Sequence, residues 1–172
     1  MSDGMIIGAG LAFLVLLSVV LHVYLLVLRS ILRDQGRSLA RAHSRAVVVS
    51  CTAALVTNQA LKRIGRVSGK RYGRTGPVYS LAATRGHLLL LRGRNADVIA
   101  DFGYEAVQDV RVGTTSWGLA DYTTVFVGIN AGGSTFELPI RVNGPRQTSL
   151  LTANRRWAER VSAEIIREVK RS

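Results

Sequence analysis

The sequence predicts a membrane protein with an N-terminal transmembrane helix, a basic helical connector and an α+β domain. Three observations lead to this fold class: an uncharged apolar run from Met5 to Leu28, short β-type runs after Pro77, and a helical period after about residue 146. In the domain we expect an antiparallel barrel or sandwich capped by the C-terminal amphipathic helix. We place the anchor at residues 1–28, the connector at 29–76 and the domain at 77–172.

Composition limits the classes of protein that remain. The chain has 172 residues, about the length of one domain, and its 48% apolar content is too high for a disordered chain. Cys51 is the single cysteine, and His22, His43 and His87 lie far apart without the spacing of metal ligands. We also find no acid, base and nucleophile in a catalytic pattern. The sequence therefore predicts no catalytic residue, no cofactor and no metal site.

The apolar run from Met5 to Leu28 is long enough for a membrane span, because a helix of about 20 residues crosses the hydrocarbon core. A signal peptide is the main alternative, but it has a basic start and an apolar stretch of roughly 7 to 15 residues. Here Asp3 precedes the run and no basic residue does. A buried helix of a soluble protein is a second alternative, although no face of this segment is polar. We expect an uncleaved, single-pass anchor.

The flanking charges predict the orientation of the anchor. Arginines follow the run immediately, and positive charge is retained on the cytoplasmic side. The N-terminus is then outside and the C-terminal domain is cytoplasmic. Gly4 and Gly8 form a small-residue pair of the kind that lets two membrane helices approach closely, which predicts a homodimer.

The connector carries most of the net charge of +12. Five of its arginines recur every four residues, so on a helix they form one slowly winding cationic ribbon. They are Arg29, Arg33, Arg37, Arg41 and Arg45. We expect the ribbon to contact anionic inner-leaflet lipids. The alternatives are that these residues only set the topology or form a solvated face, and nucleic acid fits poorly because no recognition motif accompanies the charge.

Residues 46–61 are ambiguous. Their apolar part is too short to span a bilayer, and we favour a helix that continues from the ribbon with its apolar side on the membrane surface or the domain. A first β-strand and a re-entrant segment are the alternatives. Cys51 is then a small buried hydrophobe or, as the alternative, a palmitoylation site. Residues 68–77 are predicted to form a basic loop, and they lack the residue order of a P-loop motif. Lys70, Arg71 and Arg74 are the candidate contacts of this loop for an anionic partner.

After Pro77, β-type runs alternate with turn residues and predict an antiparallel meander. The expected strands are Val78–Ala83, His87–Arg92, Asp97–Asp101, Val107–Val112, Tyr122–Ile129 and Thr135–Arg141. Trp117 falls on an expected loop between two strands, where it is either part of the core or a contact for the membrane interface or a partner. The C-terminal helix has Trp157 on its apolar side, and Thr148 or Thr152 is the expected cap.

Two stretches of the domain, residues 79–92 and 102–112, resemble bacterial pleckstrin-homology-like (PH-like) or GRAM-like domains. The resemblance implies a binding module for phospholipid headgroups or protein surfaces without catalytic activity. It also implies seven strands, so the first is sought in residues 46–67. Basic residues around the loop between the first two strands hold phosphate in lipid-binding members. By charge, the candidates here are Arg85, Arg92 and Arg94, together with Lys70, Arg71 and Arg74.

The sequence thus predicts a non-catalytic, membrane-tethered adaptor or scaffold that uses a cytoplasmic PH-like domain. Its expected partners are anionic lipids of the inner leaflet and a protein whose identity the sequence does not reveal. An accessory structural subunit of a larger membrane complex is the alternative function. A membrane-bound enzyme is a weaker alternative, because no catalytic constellation supports it.

Overall fold

The computed structural model describes residues 3–42, 46–117, 120–145 and 153–170. Its helices are α1 (Asp3–Ala42), α2 (Leu55–Ser68) and α3 (Arg155–Val169). Its strands are β1 (Val47–Thr52), β2 (Val78–Thr84), β3 (His87–Arg92), β4 (Asp97–Gly103), β5 (Val107–Trp117), β6 (Ala120–Ala131) and β7 (Ser134–Ile140). A long apolar N-terminal helix followed by an α+β domain is therefore confirmed.

Helix α1 is continuous from Asp3 to Ala42, so the apolar run and the first four ribbon arginines share one helix. It is long and apolar enough to cross a membrane. Its large apolar side chains are exposed from Leu11 to Val27, and burial begins at Leu28. The helix thus has an unpacked apolar part and a second part that contacts the domain.

The favoured interpretation of residues 46–61 as a continuing helix is wrong, and the strand alternative is confirmed. Val47–Thr52 form β1, which pairs antiparallel with β2 along its full length, and α2 begins only at Leu55. A short apolar run fits a helix and a strand equally well, so the partner strand decides between them. The three consecutive valines at the start of β1 suit the pleated surface that β2 offers.

The seven strands form two antiparallel sheets. The first has the order β1-β2-β3-β4 and the second the order β5-β6-β7. Strands β2-β3-β4 and β5-β6-β7 follow the predicted antiparallel order, but the expected single meander is divided between two sheets after β4, and β1 joins the first sheet through α2. Gly132 and Gly133 make the β6–β7 turn with φ of 56° and 78°. In the described part of the chain the sheets do not close into a barrel. They meet where Cys51 of β1 bridges Val142, just after β7.

Both sheets and α3 contribute to one apolar core. Leu90, Ile129 and Ile165 lie in it, each at most 1% exposed. Helix α3 is capped by Asn154, whose Oδ1 accepts a hydrogen bond from the backbone N–H of Trp157 at 2.9 Å. The expected caps Thr148 and Thr152 lie outside the described residues.

Trp157 packs on the edge of the core and is half-buried. Its Nε1 donates a hydrogen bond to the Asn143 carbonyl oxygen at 3.0 Å. A buried indole N–H needs such a partner, so this bond fixes the ring against the strand segment that follows β7. Trp157 thus packs against the core as expected, but it lies at the edge of the core rather than at its centre.

Cys51 and Tyr79 face each other across β1 and β2, and neither is exposed to solvent. Burial raises the pKa of the Cys51 thiol and of the Tyr79 hydroxyl, because the charged forms lose their hydration. The burial of Cys51 matches its interpretation as a small hydrophobe rather than an acylation site.

These raised pKa values predict a loss of stability at alkaline pH. An unfolded Cys ionises near pH 8.5, whereas the folded Cys51 stays neutral, so the full stabilisation is present below that pH and declines above it. The expected slope is about 1.4 kcal/mol per pH unit from this group. Urea unfolding of the full chain at increasing pH measures the slope, and Cys51→Ala should make it shallower. An equal slope in both proteins would contradict the prediction.

The part of α1 beyond Val27 packs on the outer face of the first sheet. Leu28 and Leu32 form a buried cluster with Val78 of β2. One turn further along, the Ser80 hydroxyl donates to Gln35 Oε1 at 2.6 Å, and Gln35 is fully buried. The helix that carries the apolar run is therefore docked on the domain rather than joined to it by a flexible linker.

Candidate functional site

Helix α2 is amphipathic and packs on the second sheet. Its buried residues are Thr57, Leu61, Ile64 and Gly65, which share one face at helical spacing. The Thr57 hydroxyl donates to the Pro139 carbonyl oxygen of β7 at 2.7 Å. This packing directs the basic side of α2, with Lys62 and Arg66, away from the core.

The loop after α2 turns back along the helix. Gly69 ends α2 in the left-handed conformation, and the Lys70 N–H donates to the Gly65 carbonyl oxygen at 3.0 Å. This return is tight enough to require a glycine at 65, because a Cβ there would lie 2.6 Å from the Lys70 carbonyl oxygen. The loop therefore lies directly against α2.

Four contacts hold the rest of this loop in place. The Gly73 N–H donates to Ile99 O at 2.9 Å, and the Tyr72 ring lies 5.2 Å from that of Phe102. Asn58 Oδ1 of α2 accepts from the Thr75 backbone N–H at 2.9 Å and from its hydroxyl at 3.1 Å. The basic side chains of the loop are thus carried by an anchored backbone.

Helix α2 and this loop enclose a groove of about 770 Å³. We call it the basic groove, because its lining includes Lys62, Arg66, Lys70, Arg71 and Arg74. No carboxylate is among the described residues that line it. Five like charges without a counter-charge produce a positive potential inside a concave surface, which favours an anionic ligand.

The chemistry of the groove suits a phosphate or carboxylate attached to an apolar group. Arginine side chains bind such anions through paired N–H donors, and lysines add mobile point charges. Leu55, which is 71% exposed, also lines the groove and provides an apolar surface beside the cations. This arrangement can bind an anion by charge and shape.

The structure brings together the loop residues that the sequence singled out. Lys70, Arg71 and Arg74 all line the groove. Sequence reasoning missed Lys62 and Arg66 as site residues, although it counted their charge. The four-residue spacing of Lys62 and Arg66 was the available signal, but it places them on one face only once these residues are known to form a helix.

The ribbon arginines lie on a different element. Arg29, Arg33, Arg37 and Arg41 are exposed on α1, as expected for a charged helix face. Arg45 lies outside the described residues. Their role in lipid contact stays a prediction.

The expected loop around Trp117 is shorter than the sequence suggested. Trp117 is the last residue of β5 and pairs with Ala120, so the correction is that it ends a strand. Residues 113–116 have no large apolar side chain. The strand pattern in the sequence therefore ends at Val112, and the extension of β5 to Trp117 was not predicted. The direction of its side chain lies outside what the structure describes, and its contact role stays a prediction.

The three arginines singled out through the resemblance occupy different places. Arg92 Nη1 donates to the Arg74 carbonyl oxygen at 3.0 Å, which places it beside the loop of the groove. Arg94 Nε lies 3.7 Å from the Asp34 carboxylate of α1. Arg85 lies in the turn between β2 and β3, at the other end of these strands. Of the three, Arg92 is the one next to the basic groove.

His87 has an acidic partner that sequence reasoning did not find. Its Nδ1 lies 2.9 Å from Asp101 Oδ1, because β3 and β4 are antiparallel neighbours. Both side chains are about half exposed, so solvent screens this pair. Among the described residues, no group of His, Cys, Asp and Glu has the arrangement of a metal site.

Comparison of the chain with family models, curated proteins and solved structures gives no significant match.

Proposed function

We propose that this protein is a non-catalytic, membrane-tethered adaptor whose PH-like domain binds anionic groups through the basic groove. The carrying observation is the groove itself, which is lined by two cations of α2 and three of its anchored loop and by no carboxylate among the described residues. The loop and α2 together connect β1 to β2. In the lipid-binding PH-like domains that the sequence resembles, the connection between the first two strands holds phosphate. Two antiparallel sheets of four and three strands followed by a packed helix support the PH-like interpretation.

In this proposal α1 spans the membrane with its N-terminus outside, and the domain is cytoplasmic. The arginines that follow the apolar run support this orientation. Tethering gives the domain a high effective concentration at the inner leaflet, so weak contacts are sufficient for function. Anionic lipid headgroups are the nearest ligands, and an acidic protein segment is the other source of the same charge.

Helix geometry divides the ribbon into two parts. Arg37 lies about 14 Å and Arg41 about 20 Å beyond Leu28 along the axis of a straight helix. The lipid charges lie in a headgroup layer about 5 to 7 Å thick beyond the hydrocarbon edge, so Arg37 is within a Debye length of about 10 Å of them and Arg41 is beyond it. Arg29, Arg33 and Arg37 therefore remain within reach of the lipid charges, and Arg41 is available to an acidic protein partner.

The test of the groove uses the full chain in nanodiscs. Hydrogen exchange of the backbone amides of residues 62–74 is first measured in phosphatidylcholine discs. It is then measured in discs with added phosphatidylglycerol and, separately, after addition of a hexaglutamate peptide. We expect one of these anions to slow the exchange at least severalfold. Lys70→Glu with Arg71→Glu should abolish this protection.

The matched control is Arg85→Glu with Arg156→Glu, two exposed positions away from the groove that give the same change in net charge. This control should keep the protection. Equal loss in both double variants would show a general charge effect, and absence of protection by either anion would contradict the proposed function.

An accessory subunit of a membrane complex is the second candidate function. Gly8 has no neighbouring atom within 4 Å of an added Cβ, and Gly4 lies one turn before it on α1, so this pair is the candidate contact for another helix. A stable assembly that survives detergent extraction and is lost when Gly4 and Gly8 are replaced by Leu would favour this function.

A further inference from the structure

The contacts of α1 show which end of the first sheet is nearest the apolar run. Leu28 and Leu32 pack on Val78, and Gln35, further from the run, binds Ser80. Helix α1 and strand β2 therefore point the same way, and β2 starts at the end closest to the span.

Antiparallel pairing places other residues at this end. Thr52 at the end of β1 pairs with Val78, and Leu91 near the end of β3 pairs with Ser80. The β3–β4 turn and the start of β4 lie at the same end. Leu55 follows three residues after Thr52, and the Ala53 N–H donates to the Pro77 carbonyl oxygen at 3.0 Å.

The depth of this end follows from the length of the helix. The uncharged apolar run of α1 extends from Met5 to Leu28, which is long enough to cross a hydrocarbon core of about 30 Å, and Arg29 is the first charged residue after it. Leu28 then marks the edge of the hydrocarbon, and Leu32 lies about 6 Å above it. The headgroup layer is about 5 to 7 Å thick on each side, so Val78 lies within it.

The surface at this end combines exposed apolar and basic side chains. Leu55 is 71% and Val98 is 58% exposed, although both are large apolar residues. Arg74, Arg92 and Arg94 are exposed beside them, with Asp97 as one neighbouring carboxylate and Asp34 of α1, 3.7 Å from Arg94 Nε, as another. We call this set the rim: Leu55, Arg74, Arg92, Arg94 and Val98.

We infer that the rim is a lipid-contact surface that lies in the headgroup layer of the leaflet from which α1 emerges. Leu55, which follows the end of β1, inserts toward the acyl chains, and the arginines bind lipid phosphates. Val98 pairs with Leu91 at the level of Ser80, so it lies at the outer edge of this surface. The docking of α1 holds the domain in this orientation, so the contact needs no lipid-specific pocket. This inference rests on the membrane span of the proposed function. Leu55 and Arg74 of the rim also line the basic groove, whereas Arg92, Arg94 and Val98 lie outside its lining.

The test uses the full chain in nanodiscs of equal parts phosphatidylcholine and phosphatidylglycerol. Spin labels are placed one at a time by Leu17→Cys in the span, Leu55→Cys and Val98→Cys in the rim, and Arg85→Cys at the opposite end. All four positions are exposed, so the substitutions should leave the fold intact, and buried Cys51 should not react. The ratio of collision rates with oxygen and with a water-soluble nickel chelate reports depth.

We expect the label at 17 to be deepest, the label at 55 to favour oxygen severalfold over the label at 85, the label at 98 to lie between these two, and the label at 85 to be in water. If the label at 17 is deep while the label at 55 matches the label at 85, the rim inference is overturned and the anchor stands. If the label at 17 is also in water, the anchor of the proposed function fails together with this inference.

Discussion

Replacing Leu32 with Asp is expected to release the folded domain from α1. Leu32 is 1% exposed and lies between Leu28 and Val78. Burial of an unpaired carboxylate there is strongly unfavourable, by about 3 to 5 kcal/mol where no partner is present. Opening of this small interface exposes the carboxylate to water, so the domain should undock rather than unfold.

The polar contact at this interface is too weak to preserve the docking. Gln35 Oε1 accepts one hydrogen bond from Ser80, while its Nε2 is buried without a partner in the described part of the chain. An unsatisfied buried donor costs about 1 to 3 kcal/mol, which offsets most of the benefit of the bond. The apolar cluster around Leu32 therefore accounts for the docking.

The measurement is the distance distribution between spin labels on Arg37→Cys in α1 and Arg85→Cys in the domain, with the full chain in nanodiscs. We expect a narrow distribution without further change and a broad one after Leu32→Asp. Arg33→Asp is the control, because it is the next residue, is exposed and changes the net charge by more. A distribution that stays narrow after Leu32→Asp would show that Leu32 does not hold the interface. The depth labels of the rim should also move into water in this variant.

Replacing Ile165 with Ala is expected to lower the free energy of unfolding by about 2 to 5 kcal/mol. Ile165 is fully buried at the centre of α3, in the core cluster that both sheets share. The strands on either side are held in separate hydrogen-bonded sheets, so the shortened side chain should leave a cavity that strand movement does not fill. Since stabilities of whole domains are only about 5 to 15 kcal/mol, this is a large fraction.

Ile166 supplies the matched control. It is the same residue type, one position further on α3, and it is half-buried. Ile166→Ala should cost about 1 kcal/mol, because part of its surface is already in water. Urea unfolding of the full chain in detergent, followed by near-ultraviolet circular dichroism, measures both values. Equal losses would mean that α3 is rotated relative to the observed packing.

The candidate site was only partly predictable from the sequence. A basic, glycine-rich loop is a local pattern, so Lys70, Arg71 and Arg74 were identified without a structure. Lys62 and Arg66 were not, because their direction depends on where α2 begins. If residues 46–61 had formed one helix with the ribbon, the same residues would have faced a different side.

His87 and Asp101 illustrate the same limit for long-range pairs. Each residue alone looks like an ordinary surface group, and they are separated by a turn and most of two strands. Only the register of β3 and β4 makes them neighbours. A register shift of one residue would place their side chains on opposite faces of the sheet.

The sequence by itself determined the elements whose patterns are long and periodic. The apolar run after Asp3, six of the seven strands and the amphipathic C-terminal helix repeat over enough residues for one structure to fit them. Tertiary structure alone decided that Val47–Thr52 is a strand, that α2 and its loop form a groove, and that α1 docks through Leu28 and Leu32. Each of these depends on contacts between segments distant in the chain. Short apolar runs and scattered charges satisfy several local structures, and the packing partner selects one of them.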